Sequence, residues 1–263
     1  NAADLDDLAQ AYHKLRAHKG VTLEQAQTAM RDPIAHAAMR VRLRQAHGSV
    51  GGAVATTADT VRAALQIIGK APNAGIVSSF FLMLPRAENS AINHGMIFSD
   101  CGLVISPSVA ELADIALAAA RSCRELLRER PRVAMLSFST AGSADHPDVT
   151  RVREALALAR ARNPDLEIEG EMQLDAALDC AIRARKMPEN RLTGPANVLV
   201  FPDLAAGNIG YKIAERIGGL AAVGPILQGL AHPANDLSRG CSVDDIVAAI
   251  AVTAVQAGEA APR

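Results

Sequence analysis

The side chains best suited to chemistry crowd into the stretch 235–245: Asn235, Asp236, Ser238, Arg239, Ser242, Asp244 and Asp245. An apolar, strand-like run stops just before them and a helix-like run begins just after, and a loop held between such elements is where functional groups usually sit. Ser238 offers a hydroxyl donor. Arg239 is a permanent cation whose fork fits a carboxylate, a phosphate or a developing oxyanion, and Asp245 supplies a carboxylate one to two turns further on. The same spacing has a structural use. Ser242-Val243-Asp244-Asp245 fits a capping box, with Ser242 as N-cap and Asp245 reaching back to free backbone N–H groups. Ser238 and Arg239 equally fit an ordinary loop with a surface ion pair, so residue types alone leave both readings open.

Other polar groups stand at element ends. Arg16 and Lys19 close a helix-like pattern over 3–18 in which Leu5, Leu8, Ala9, Tyr12 and Leu15 recur at helical spacing; charge at that end also simply complements the helix dipole. Thr56 and Thr57 precede a helix running to about 69, with Arg62 one turn inside, so hydroxyls, free N–H groups and a guanidinium could meet one anion. Arg62 could instead pair with Asp59. Ser139 and Thr140 follow a strand over 132–138, the position where α/β sheets present ligand sites.

These groups are positioned by an alternating series. Helices are expected over 22–32 and 33–46, the second opening on Pro33, a residue that suits a first helical turn. Gly51–Val54 reads as a short buried strand, and the apolar run 75–85 as a central one. Short strands at 95–98 and 103–105 lead to a helix through about 128. Helices over 148–162, 172–185, 204–217 and 243–257 then alternate with strands over 166–170, 197–201 and 222–230. With 3% aromatics, no Trp and abundant Ala, Val, Leu and Ile, the chain reads as α/β.

Its 263 residues suffice for one large or two modest domains. A net charge of -1 argues against a nucleic-acid or anionic-membrane surface as main partner. No run of transmembrane length and no signal-peptide pattern occurs, which points to the cytoplasm. Cys101, Cys123, Cys180 and Cys241 are far apart, without Cys-x-x-Cys pairing or a His at ligand spacing, so neither a metal site nor a disulfide framework is indicated.

Asn235-Asp236-Leu237-Ser238-Arg239-Gly240-Cys241-Ser242 followed by an acidic pair resembles the signature loop of the phosphate acetyltransferases, a group within the phosphate acetyl/butyryltransferase family. Phe201-Pro202-Asp203-Leu204, Gly207-Asn208-Ile209-Gly210-Tyr211-Lys212 and Gly224-Pro225-Ile226-Leu227-Gln228-Gly229 resemble that family in order and spacing. So do Leu15–Gly20, Thr56–Arg62, Ser139–Ala144 and Glu169–Gln173. Nearly the whole chain is covered.

The resemblance implies two three-layer α/β domains of the isocitrate/isopropylmalate dehydrogenase kind with a cleft between them. The first would comprise 1–73 plus 227–263 and the second 74–226, with further β/α units ahead of Arg16. It implies interconversion of acetyl phosphate plus coenzyme A with acetyl-CoA plus phosphate, by thiolate attack within a ternary complex. Coenzyme A is then a substrate; no metal and no tightly bound cofactor are expected. Asp245, Ser238 and Arg239 would carry the chemistry, and Arg16, Arg62, Lys186, Thr57, Ser139, Thr140 and Asn208 would bind substrate. A free thiol ionises near pH 8.5 and a free Asp near 3.9, so Asp245 as base faces a gap of roughly 4 to 5 units. A homodimer through second-domain helices is the family's habit. Ala55, Ala63 and Ala205 depart from its usual pattern and bear on acyl preference. A phosphate butyryltransferase is the nearest alternative, and a non-catalytic acyl-CoA-sensing domain the alternative outside enzymes.

Overall fold

A computed structural model describes residues 2–86 and 92–260. The chain divides into two compact units, Asn1–Asn73 with Leu230–Arg263, and Ala74–Gly229.

The first unit begins with α1 (Ala2–Arg16), which buries Leu8, Ala9 and Tyr12 on one face. α2 (Leu23–Ala29) starts at a capping box between Thr22 and Gln25. α3 (Pro33–Arg42) starts on its proline, with Asp32 accepting from the amides of Ile34 and Ala35. β1 (Ser49–Gly51) leads to α4 (Thr57–Ala63), capped by Thr56 and prolonged by a π-helical turn over Ala64–Ile68. The strand expected over Gly51–Val54 is therefore displaced. β1 ends at Gly51, Gly52 turns the chain at φ +109, Ala55 N–H closes the turn on Gly52 O, and Val54 is 98% exposed.

The second unit is built on one six-stranded sheet in the order β5-β4-β6-β3-β2-β7. Its elements are β2 (Ser78–Leu84), β3 (Met96–Ser99), α5 (Val109–Leu127), β4 (Arg132–Leu136), α6 (Pro147–Arg162), β5 (Glu167–Met172), α7 (Leu174–Leu178), α8 (Cys180–Lys186), β6 (Val198–Val200), α9 (Leu204–Arg216) and β7 (Ala221–Gln228). β3, β6, β4 and β5 run parallel; β2 is antiparallel to both its neighbours. The parallel strands β3, β4 and β6 are buried throughout their middles, as strands covered on both faces must be. β7 stays paired through Gln228 with Ser78, so 227–229 lie in this unit.

Two sequence expectations change here. Leu103–Ile105 forms no strand, because the buried Asp100 carboxylate takes the amides of Gly102, Leu103 and Val104. The single helix expected over 172–185 is two, broken at Asp179, whose carboxylate caps the second by accepting from the Ala181 and Ile182 amides.

The chain returns to the first unit through β8 (Ala234–Asp236), which pairs in parallel with β1, and ends in α10 (Val243–Ala260). Lys70 bridges to Leu230, and Ala231 N–H donates to Gly69 O, so the departing and returning segments are tied.

Candidate active site

In the first unit the signature loop starts from a rigid base. Asn235 and Asp236 are buried on β8, and Asn235 Nδ2 donates to Thr253 Oγ1 and Gln256 Oε1 on α10. The next side chains emerge. Ser238 and Arg239 are exposed, in a turn where Cys241 N–H donates to Ser238 O and Gly240 N–H to Ser238 Oγ. Among the described residues nothing bonds or pairs with the Arg239 guanidinium.

Asp245 forms the cap anticipated from spacing. Ser242 N–H and Ser242 Oγ each donate to Asp245 Oδ2 at 2.8 Å, and Asp245 N–H donates back to Ser242 Oγ at 3.2 Å. All the bonds to the carboxylate end on Oδ2. Asp245 Oδ1 has none among the described residues, so holding the helix start leaves one oxygen open.

Arg62 sits in the ion pair with Asp59 that its spacing allows, Nη1 to Oδ1 at 2.6 Å, both side chains more than half exposed. Asp59 also accepts from Thr56, and the Thr56 bond followed by that of Arg62 holds its carboxyl below the ordinary range. Arg16 lies at the C-terminal end of α1, and its Nε is buried without a partner among the described residues. Thr57, half-buried in the first turn of α4, donates its hydroxyl proton to Asp236 Oδ2 at 2.6 Å, across 179 positions of sequence. It links α4 directly to β8.

The second unit presents its own loops at a topological switch. From β4 the chain goes outward to β5, whereas from β6 it goes the other way to β7; ligands of open α/β sheets bind beyond the carboxyl ends of such strands. After β4, the loop Ser139–Ala144 is closed on itself. Its six amides donate in turn to Ser137 Oγ, Ser143 Oγ, Glu171 O, Glu171 Oε1, Thr140 O and Ser139 Oγ. Ser139 Oγ donates to Glu171 Oε1 at 2.8 Å, and Glu171 is only 1% exposed, its other oxygen 3.1 Å from Arg153 Nε. Thr140 Oγ1 donates to Gln173 Oε1 and accepts from Gln173 N–H.

Glu171 and Gln173 are therefore residues that sequence reasoning missed as site elements. Glu171 lies near the end of β5 and Gln173 is the N-cap of α7; their place where a strand gives way to a helix was the available signal. Gln173 Oε1 also receives Lys186 Nζ at 3.0 Å, which brings Lys186 and Thr140 together; Lys186 further pairs with Asp175 at 2.8 Å. Asn208 is not among them. It lies on α9 with Nδ2 donating to Cys101 O, close to Gly207, where an added Cβ would stand 2.2 Å from Asp100 O.

The four thiols divide. Burial raises Cys101 well above the ordinary thiol range and pushes Cys123 up to about 12, whereas Cys180 is exposed and Cys241 half-buried. No helix among the described residues is long and apolar enough to cross a membrane.

Comparison with known proteins places the chain in one sequence family. The sequence model described as Phosphate acetyl/butaryl transferase matches residues 1–254. A phosphate acetyltransferase from Paracoccus denitrificans is 71% identical over 96% of this chain and 80% of its own length. Among solved structures, a phosphotransacetylase from Streptococcus pyogenes superposes with a TM-score of 0.91 at 46% identity, covering 98% of this chain and 76% of that one. One from Staphylococcus aureus gives 0.84 at 44%, over 97% and 75%.

Proposed function

The chain belongs to the phosphate acetyl/butaryl transferase family, and from that premise we propose that it interconverts acetyl phosphate plus coenzyme A with acetyl-CoA plus phosphate. In the forward step the thiolate sulfur attacks the acyl carbon, a C–S bond forms, the C–O bond to phosphate breaks, and phosphate leaves. Such a reaction needs a proton acceptor for the thiol, donors for the oxyanion and a cradle for phosphate.

The observation that carries this reading is Arg239, an exposed guanidinium with no protein partner among the described residues, standing beside Ser238 where buried β8 ends. An unengaged cation on a fixed base is available to meet charge as it develops on the acyl oxygen. Ser238 donates to the leaving phosphate or orients the thiol. Asp245, through its open Oδ1, takes the thiol proton.

Arg62 and Arg16 hold phosphate in this scheme. The Arg62–Asp59 pair is more than half exposed, and such pairs contribute only about 0–1 kcal/mol, so a doubly charged phosphate can displace the aspartate. Arg16 brings a buried, unpartnered Nε, whose missing bond costs free energy until a ligand or water supplies it. Lys186, exposed and held by Gln173 and Asp175, suits the phosphates of coenzyme A. Asn208, whose Nδ2 donates to Cys101 O, contributes its side-chain oxygen, which has no partner among the described residues.

The family resemblance and an apolar stripe support a homodimer. Ile209 and Ile213 on α9 and Ile217 at its C-cap recur every four residues and are 58%, 52% and 83% exposed. A cytoplasmic location accords with this substrate set.

Steady-state kinetics with each substrate varied test the assignment. Arg62→Ala should raise KM for acetyl phosphate with little change in kcat, and Arg239→Ala should lower kcat with KM nearly unchanged. The opposite pattern would exchange the roles of the two arginines, and absence of acetyl-CoA formation by the wild-type chain would reject the reading.

A further inference from the structure

Thr57 has one proton to give, and it gives it to Asp236. The bond is 2.6 Å long, and an ionised carboxylate has no proton to return, so the direction of donation is fixed. What remains on the Thr57 oxygen is acceptor capacity alone.

Asp236 cannot easily release it. The residue is 1% exposed, and its second oxygen, Oδ1, is buried with no hydrogen-bond partner among the described residues. Gly52, at φ +109, passes so close that a Cβ there would lie 2.2 Å from that oxygen. Rotating the Thr57 hydroxyl outward would take from the buried carboxylate its donor at 2.6 Å and leave it only the lesser hydrogen bonding of the Thr60 side chain and the Leu237 amide, which costs more than the bond a ligand would return. Burial already pushes the Asp236 carboxyl above its ordinary range, and the hydrogen bond from Thr57 is the largest effect opposing it.

Ionised acetyl phosphate offers Thr57 only acceptor oxygens, so the two would face each other lone pair to lone pair. Coenzyme A does carry donors near its reactive end: the thiol S–H and the two amide N–H groups of its pantetheine arm. We propose that Asp236 is a positioning residue that fixes Thr57 as a hydrogen-bond acceptor for a donor on the pantetheine arm of coenzyme A, and that Thr57 is not a phosphate ligand. This rests on the acyl-transfer reading given above, and it alters the expectation that Thr57 shares an anion with Arg62.

The test is Thr57→Val, which keeps the shape and removes the oxygen, beside Thr57→Ser, which keeps the oxygen. Thr57→Val should raise KM for coenzyme A about tenfold, the equivalent of about 1.4 kcal/mol, while KM for acetyl phosphate stays within about twofold. Thr57→Ser should restore the wild-type value. Asp236→Asn, whose amide can turn a donor toward Thr57 and free its proton to point outward, should show the same selective rise for coenzyme A. A purely structural role for Asp236 would change both constants together or reduce only the active fraction.

A rise confined to acetyl phosphate, or no change in either constant for Thr57→Val, overturns the proposal. Calorimetric titration of coenzyme A alone separates it from the acyl-transfer reading. If the wild-type chain binds coenzyme A but forms no acetyl-CoA, that reading fails while tenfold weaker binding by Thr57→Val still upholds the Thr57 assignment. If wild type and Thr57→Val bind equally, or neither binds, the assignment fails.

Discussion

Asp245→Asn separates holding a helix from moving a proton. The cap rests on two 2.8 Å bonds into Oδ2 and the 3.2 Å return bond to Ser242 Oγ. An asparagine oxygen can replace Oδ2 as acceptor, so the variant should lose no more than about 1 kcal/mol of stability. In a protein of this size that is about 2–4 °C in Tm. The open Oδ1 is what the substitution removes as a base. If it takes the thiol proton, kcat should fall on the order of 10²- to 10⁴-fold, roughly 2.7–5.4 kcal/mol of barrier. Part of the loss should return as pH rises and the thiol ionises unaided.

Ser242→Ala is the counterpart. It removes the cap hydroxyl and leaves the carboxylate, so it should melt lower by a similar amount and keep most of its turnover. The assay is thioester formation from acetyl phosphate and coenzyme A between pH 6 and 9, alongside thermal unfolding of both variants. If Asp245→Asn turns over like wild type at neutral pH while Ser242→Ala only melts lower, Asp245 is a capping residue and another group receives the proton.

Two further expectations concern the second unit. Burial raises the Glu167 carboxyl, but the Thr193 amide and hydroxyl, then Arg130 and Arg132, outweigh it and leave the group below its ordinary range. A carboxyl depressed in the folded state stabilises above its unfolded pKa, about 4.3, and loses that contribution as pH falls through the folded value. Glu167→Gln should thus flatten the loss of denaturant midpoint on acidification from pH 6 to 3, and an unchanged acid limb would refute it. Ile213→Glu puts a charge in the middle of the exposed α9 stripe, so sedimentation at micromolar concentration should move from dimer to monomer; a wild-type monomer would remove the dimer reading.

What sequence settles here is local. Ser242 and Asp245 cap α10, Asp32 and Pro33 open α3, and Asp59 pairs with Arg62, because each partner lies within four residues and helix geometry brings it there whatever surrounds it. The α/β alternation was equally legible, since periodicity and buried runs report one face of one element at a time. The apolar run Leu103–Ile105 misled for the same reason. Nothing within it reveals that Asp100 will claim its amides. Nor does local spacing reveal that Glu171 and Gln173 hold the protons of Ser139 and Thr140.

The choice between donor and acceptor at Thr57 is the clearest case. Its residue type permits either, and its position in a helix's first turn suggests an anion ligand. Asp236 decides otherwise from 179 positions away, through the pairing of β8 with β1, which sets that carboxylate against α4 in a buried place where it must be satisfied. Hydrogen-bond direction follows from which groups are buried together, and only the tertiary fold fixes that.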